Sequence, residues 1–156
     1  MSLCTDIIFV KALRSNDALM EMLAMHDVYN TTIALPDTDL DNAQLPYVIV
    51  SFDGLSNDQS TKDDYEGDTD QVTVSIEVAA KTRPELAKIA KMVRATIKRY
   101  FSMAREYPNV EIDGMTDEDY DLVPLDYQFN AQAVMFYDAK PCYWQVLGYQ
   151  CDTNID

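Results

Sequence analysis

The stretch QVTVSIEVAA at residues 71–80 runs directly into KTRPELAKIAKMVRATIKRYFSMAR at residues 81–105. In residues 71–80, β-branched side chains alternate with polar ones, and a period of two is typical of a strand with one buried and one solvent-facing side. The apolar side consists of Val72, Val74, Ile76 and Val78. The polar side consists of Gln71, Thr73, Ser75 and Glu77. The sequence therefore predicts a strand that needs a second layer against its apolar side.

Residues 81–105 predict a long helix immediately after this strand. Thr82 is a suitable N-cap, Pro84 occupies the first turn, where a missing N–H costs little, and Glu85 completes a capping box. Apolar residues then recur at three- and four-residue steps and form one stripe: Leu86, Ile89, Ala90, Val93, Ile97 and Phe101. Because strand and helix each have one apolar face, we expect them to pack on each other.

The rest of the chain predicts an α+β fold. Residues 4–26 are typical of a helix broken at Ser15-Asn16-Asp17, which offer a stop and a new N-cap. Further strands are predicted at 46–52, 125–135 and 143–151. The strand at 125–135 is long and half-buried and includes Met135, and a turn at 138–141 connects it to the strand at 143–151. Residues 28–33 are predicted to be extended, and residues 110–112 to form a short edge strand. We expect an antiparallel sheet of about four strands. Two helices, one long (about 83–105) and one broken (about 4–26), pack on one face.

The charge of the chain is strongly acidic and unevenly distributed. The net charge is −15, from 27 acidic and 12 basic residues, which argues against an ordinary nucleic-acid binder. Residues 81–105 hold eight of the twelve basic residues, whereas acids collect at 53–70 and 111–126. Opposite charges on separate surfaces favour head-to-tail self-association. The alternative is a solvated basic helix face that the acidic loops of the same chain balance.

Residues 53–70 (DGLSNDQSTKDDYEGDTD) form a polar, acidic run with two glycines. This composition predicts a long exposed loop or a loose hairpin arm, and a loop of this length in a compact domain is usually functional. The calcium-loop pattern fails because Lys62 stands five residues before Gly67. We expect one domain, 1–156, with a mobile acidic arm at 53–70 that orders against another subunit.

The sequence lacks the common catalytic motifs. It has no GxSxG, P-loop, GxGxxG or HExxH pattern. Its one histidine, His26, stands at the end of a helical pattern, where we expect it to cap the helix or to pack against it.

Cys142 and Cys151 are nine residues apart and would face opposite sides of one strand, so we expect free thiols, as for Cys4. We predict a protein without catalysis, cofactor or metal. No apolar run or signal pattern suggests a membrane, which indicates a cytoplasm-like compartment.

The order and spacing of several segments resemble the tail-completion or tail-terminator proteins of long-tailed bacteriophages, which join the tail to the head. The resembling segments are Val28-Tyr29, LPYVIV at 45–50, Glu66-Gly67 at the end of the arm, the strand 72–78, KTRPEL at 81–86 and the strand 143–151. The acidic segment 116–121 is longer than this resemblance leads one to expect. The resemblance implies an antiparallel sheet with two helices on one face and a six-membered ring without cofactor. Such a ring caps the tail tube, docks to the head connector and lets DNA pass without specific binding, in a virion assembled in the bacterial cytoplasm.

Charge and resemblance together suggest two sets of candidate residues. A basic face of the long helix is expected to meet the acidic arm of a neighbouring subunit; the candidates are Lys88, Lys91, Arg94 and Lys98 on the helix, and Asp63, Asp64, Glu66 and Asp68 on the arm. The channel-lining candidates are Gln71, Thr73, Ser75 and Glu77. An alternative function from another class is an acidic inhibitor that mimics DNA and occupies a basic nucleic-acid-binding partner.

Overall fold

The structure is a computed structural model that describes residues 5–30, 45–57, 69–106, 127–138 and 141–154. Its helices and strands are, in chain order, α1 (Thr5–Arg14), α2 (Asp17–Met22), β1 (Tyr29–Asn30), β2 (Tyr47–Asn57), β3 (Thr69–Ala80), α3 (Arg83–Glu106), β4 (Tyr127–Ala131), β5 (Met135–Tyr137) and β6 (Cys142–Asn154). The predicted edge strand at 110–112, the acidic turn at 116–121 and Cys4 lie outside the described residues. The fold is α+β, as the sequence predicts.

The sheet is built around β3, the strand that the opening stretch predicts. Its order is β1-β2-β3-β6-β4, and β5 pairs with β6 beyond the end of β4. The strand β3 pairs antiparallel with β2 on one side and along its whole length with β6 on the other. Val72, Val74, Ile76 and Val78 are fully buried, so the predicted apolar side is confirmed.

The helices lie over the apolar side of the sheet. The helix α3 contacts β3 and β6, whereas α1 contacts α3 and the β1–β2 side of the sheet. All six residues of the predicted α3 stripe are buried. The break between α1 and α2 is confirmed: Asn16 caps α2 through the Leu19 N–H at 3.3 Å, and its Nδ2 donates to Thr96 Oγ1 of α3 at 2.9 Å. At the start of α3, Thr82 Oγ1 accepts from the Glu85 N–H at 3.4 Å, as the predicted cap requires.

His26 lies in the turn that follows α2. Its backbone has φ of 54°, its N–H donates to the Leu23 carbonyl at 3.1 Å, and the residue is exposed. The cap-like role is thereby supported, whereas a packed role is not.

The prediction that all neighbouring strands are antiparallel is wrong for β1. This two-residue strand pairs parallel with β2, with Tyr29 opposite Ile49. Parallel neighbours need a crossover connection of about a dozen residues or more. Sixteen residues separate Asn30 from Tyr47, which is enough chain for that crossover.

The prediction of one continuous strand at 125–135 is also wrong. Ala131 lies opposite Leu147, but Met135 lies opposite Trp144, so residues 132–134 contain one more residue than the facing part of β6. Such a bulge moves every later side chain to the other face of the sheet. Met135 therefore faces away from the helices, and Phe136 takes the helix side instead. The strand is thus divided into β4 and β5, and the sheet has six strands rather than about four.

The predicted arm at 53–70 begins and ends in strand. β2 continues to Asn57 with an irregularity between Phe52 and Gly54, and β3 begins at Thr69. The two strands form the base of a hairpin, and residues 58–68, which include the four acidic candidates, lie outside the described residues.

An aromatic contact joins the layers of the core. The fully buried ring of Phe9 on α1 lies 5.0 Å from the ring of Phe101 on α3 and 5.3 Å from that of Tyr149 on β6. These edge-to-face and tilted contacts add to the free energy of burying the rings. Phe9 therefore joins two helices and the sheet at one point.

Replacing Phe9 with alanine is expected to lower the free energy of unfolding by about 3–5 kcal/mol, because it removes a buried ring and leaves a cavity. Urea unfolding followed by circular dichroism measures this loss. Phe136→Ala is the matched control: Phe136 is 50% exposed, so its loss is expected to cost about 1 kcal/mol or less. Equal effects of the two substitutions would contradict the assignment of Phe9 to the core.

Candidate assembly surfaces

A groove lies between α3 and the β4–β6 edge of the sheet. It exists because α3 packs mainly on β3 and β6, while β4 lies beyond them at the edge of the sheet. The groove has a volume of about 400 Å³. Its floor is mostly apolar and consists of Leu147, Tyr149, Phe129 and Ala131, with Gln145 beside them. Its helical wall is low because α3 contributes three alanines, Ala87, Ala90 and Ala95, and its rim is basic, with Lys91, Arg94 and Lys98.

Arg94 is held over the groove by an aromatic ring. Its guanidinium carbon lies 4.1 Å from the centre of the Phe129 ring. Phe129 in turn contacts Tyr149, with ring centres 5.2 Å apart. A cation over the face of an aromatic ring is attracted by the ring quadrupole. The contact orients an exposed cation toward the apolar floor.

The structure places three of the four predicted basic residues on this groove. Lys91, Arg94 and Lys98 line it, whereas Lys88 is exposed on α3 but is not part of the lining. Their predicted acidic counterparts on the arm lie outside the described residues. Sequence analysis missed Phe129, because its place beside Arg94 depends on the pairing of β4 with β6.

The sheet face opposite the helices carries the predicted channel-lining residues. Gln71 and Thr73 are exposed, and Ser75 and Glu77 are half-buried. The strand β6 extends this polar surface: Gln150 lies opposite Thr73, and Asp152 accepts a hydrogen bond from Gln71 Nε2 at 3.4 Å. We call this surface the open face.

Charge is sorted between the two layers of the fold. None of the six described strands contains a lysine or an arginine, although they include Asp53, Asp70, Glu77 and Asp152. The helix α3 alone contains seven basic residues: Arg83, Lys88, Lys91, Arg94, Lys98, Arg99 and Arg105. Among the described residues, cations are therefore concentrated on α3, whereas the strands carry acids and no bases. Most of the acidic runs that the sequence places at 53–70 and 111–126 lies outside the described residues.

Glu77 is a half-buried acid on the open face. Partial burial raises the pKa of its carboxyl group, and a hydrogen bond from the Tyr47 hydroxyl, at 3.5 Å, opposes this rise by stabilising the charged form. The folded protein therefore holds the Glu77 proton more tightly than the unfolded chain does.

Glu77→Gln is expected to raise the free energy of unfolding at about pH 8, with a difference from wild type that shrinks as the pH falls toward about 4. The pKa of Glu77 is raised on folding, so the stability contributed by its proton is complete below the ordinary value of 4.5 and is lost as the pH rises through the folded-state value. Glutamine does not ionise but still accepts the Tyr47 hydrogen bond. Urea unfolding across this range measures the effect, and a difference independent of pH would contradict it.

The two described cysteines are buried and free. They lie on opposite faces of β6, which confirms the prediction that they do not pair. Burial and, to a lesser extent, the nearby charge of Asp152 raise the pKa of the Cys151 thiol to about 12. The Cys151 thiol is therefore protonated at neutral pH, which makes it a poor nucleophile.

Among the described residues, no group of three or more histidine, cysteine or acidic side chains is arranged to hold a metal ion. No helix in the described part of the chain is long and apolar enough to span a lipid bilayer.

Comparisons with known proteins show a likeness of fold. No family model and no curated protein matches the chain. The chain is similar in fold to a chain of a solved structure described as the virion of a native gene transfer agent particle, with a TM-score of 0.55 and 16% sequence identity. The likeness covers 94% of this chain and 92% of that chain. At this identity the comparison shows a shared fold.

Proposed function

We propose that this protein is a structural subunit of a phage-like virion. The observation that carries the proposal is the fold shared with a chain of a gene transfer agent virion over nearly the full length of both chains. Agreement over both full lengths means that the whole architecture is shared and not one common motif. The role is structural and not catalytic, and the protein resides in the virion after assembly in the host cytoplasm.

The more specific role we propose is that of a ring that caps the tail tube and joins it to the head. The segment order that resembles tail terminators supports this role, and so does the separation of charge between α3 and the sheet. Copies arranged head to tail can bring the basic groove of one subunit against acids of the next, which is the contact that a closed ring needs. The partners are then further copies of the chain, the tail-tube protein and the head connector.

The open face is suited to line the channel of such a ring. The described strands that form it contain no lysine or arginine, and β3 turns Gln71, Thr73 and Glu77 to this side, so the face offers phosphates no cation to bind. Duplex DNA would then pass without adhering to the wall. The acidic DNA-mimic alternative gains no comparable support, because a mimic of DNA has no use for seven basic residues along one helix.

Light scattering of the purified chain, alone and with tail tubes of its own particle, tests the ring. We expect six copies per ring, formed either in solution or at the end of the tube. A chain that remains monomeric or dimeric and binds no tube would overturn the proposal.

The channel-lining role has a separate test on the assembled ring. Wild-type rings are expected not to retard duplex DNA in a gel at low salt, whereas rings with Gln71→Lys and Thr73→Lys should retain DNA, and retention should fall steeply as salt is added. Gln71→Ser with Thr73→Ser is the control, since it removes the same side chains without adding charge. Lysine-bearing rings that leave DNA unretarded would show that the open face lies away from the channel.

A further inference from the structure

Two of the cations on the rim of the groove, Lys91 and Arg94, form no ion pair with the described parts of the chain. The guanidinium of Arg94 lies over the ring of Phe129. Below these cations lies an apolar floor that includes Leu147 and Ala131. A ligand that fits this groove therefore combines carboxylates with an adjacent apolar side chain.

The chain itself carries such a combination on α2 and the turn that follows it. Asp17 and Glu21 are both exposed and lie four residues apart, about 6 Å along the helix and on one side of it. Ala18 is exposed between them, and Met25 in the following turn is 52% exposed, among the largest apolar exposures of the described residues. We call Asp17, Ala18, Glu21 and Met25 the α2 edge.

The groove and the α2 edge lie on opposite flanks of α3. Thr96 of α3 binds Asn16, the N-cap of α2, whereas Arg94 faces the groove. Two residues along an α-helix correspond to a rotation of about 200°. One copy therefore cannot bring its own α2 edge into its own groove, but a second copy placed beside it can.

We propose that the groove receives the α2 edge of a second copy of this chain. In this contact Lys91 and Arg94 of one copy pair with Asp17 and Glu21 of the other. Each of these two sets spans about one helical turn, so their charges can align. Met25 of the second copy reaches the apolar floor. A second copy is the partner that charge favours: outside residues 81–105 the chain has four basic and 26 acidic residues. The partner's helices would continue the helix layer over the part of the sheet that α3 leaves open.

This contact is heterologous, since it joins two different surfaces. Repeated contacts of this kind form a closed ring or an open filament according to the rotation between neighbours. The proposed contact specifies the interface between neighbouring subunits of the proposed ring, and the closure of that ring rests on the proposed function. It differs from the arm hypothesis in its acids, which lie on α2 and not at 63–68.

Charge reversal on each side of the contact tests the proposal. The groove variant carries Lys91→Glu and Arg94→Glu, and the α2 variant carries Asp17→Lys and Glu21→Lys. Each alone is expected to raise the dissociation constant of assembly by about tenfold or more, and an equimolar mixture should reassociate, because each variant then meets an opposite charge on the other. Lys81→Glu with Arg83→Glu, exposed positions just before and at the start of the same helix and outside the groove lining, is the matched control and should remain within about threefold of wild type.

Sedimentation velocity measures assembly in solution if the wild-type chain associates by itself, and tube-bound copies are counted if it does not. Variants that assemble like wild type, or reversed variants that fail to reassociate when mixed while remaining folded by circular dichroism, would overturn the groove assignment and leave the ring intact. If the groove variant loses thermal stability as a monomer and the α2 variant assembles normally, the groove is covered by another part of the same chain, which would also overturn the assignment. If the two variants reassociate when mixed but the wild-type chain binds no tail tube, the contact between copies is supported and the proposed role in the tail is overturned.

Discussion

The contact between the apolar side of β3 and the buried stripe of α3 is the constraint on which the rest of the structure depends. The two elements are joined by a link of two residues, Lys81 and Thr82, so the helix must fold back over the strand that precedes it. Once Val74, Ile76 and Val93 are removed from water, the opposite faces of both elements are fixed as well. The polar side of β3 becomes the open face, and the cations of α3 are directed outward.

The sorting of charge follows from this two-layer arrangement. A helix that buries one stripe leaves about two-thirds of its circumference for polar residues, and α3 fills much of that surface with lysine and arginine. The six strands that the structure describes contribute acids but no bases. A protein built in this way has one cationic flank and an acidic remainder, so its own copies are electrostatically complementary to it. This property connects the fold to the proposed assembly.

The groove arises where the helix layer ends before the sheet does. β4 adds a strand to the edge of β6, but the described helices pack mainly on β1, β2, β3 and β6. The alanines of α3 that face this edge keep the groove open, and Phe129 and Tyr149 continue the aromatic contacts of the core out to Arg94. The core and the candidate interface are therefore joined by a continuous series of tilted and edge-to-face ring contacts.

Much of this structure could be read from the sequence because its signals are local. Alternation in residues 71–80 and the stripe after Thr82 determined the central strand, the long helix and the sides they bury, since each pattern is the period of its own backbone. The break at Asn16 was readable for the same reason. The concentration of basic residues in one helix was also visible in the chain.

Other features were decided only by tertiary structure. The parallel pairing of β1 depends on which sheet edge is open when the chain returns, and the bulge at 132–134 depends on how β6 faces that segment, so neither leaves a local pattern. The groove brings Arg94 and Phe129 together although 34 residues separate them in the sequence. Periodicity describes the faces of one element, whereas a groove is defined by the distance between two, and that distance exists only after the layers have packed.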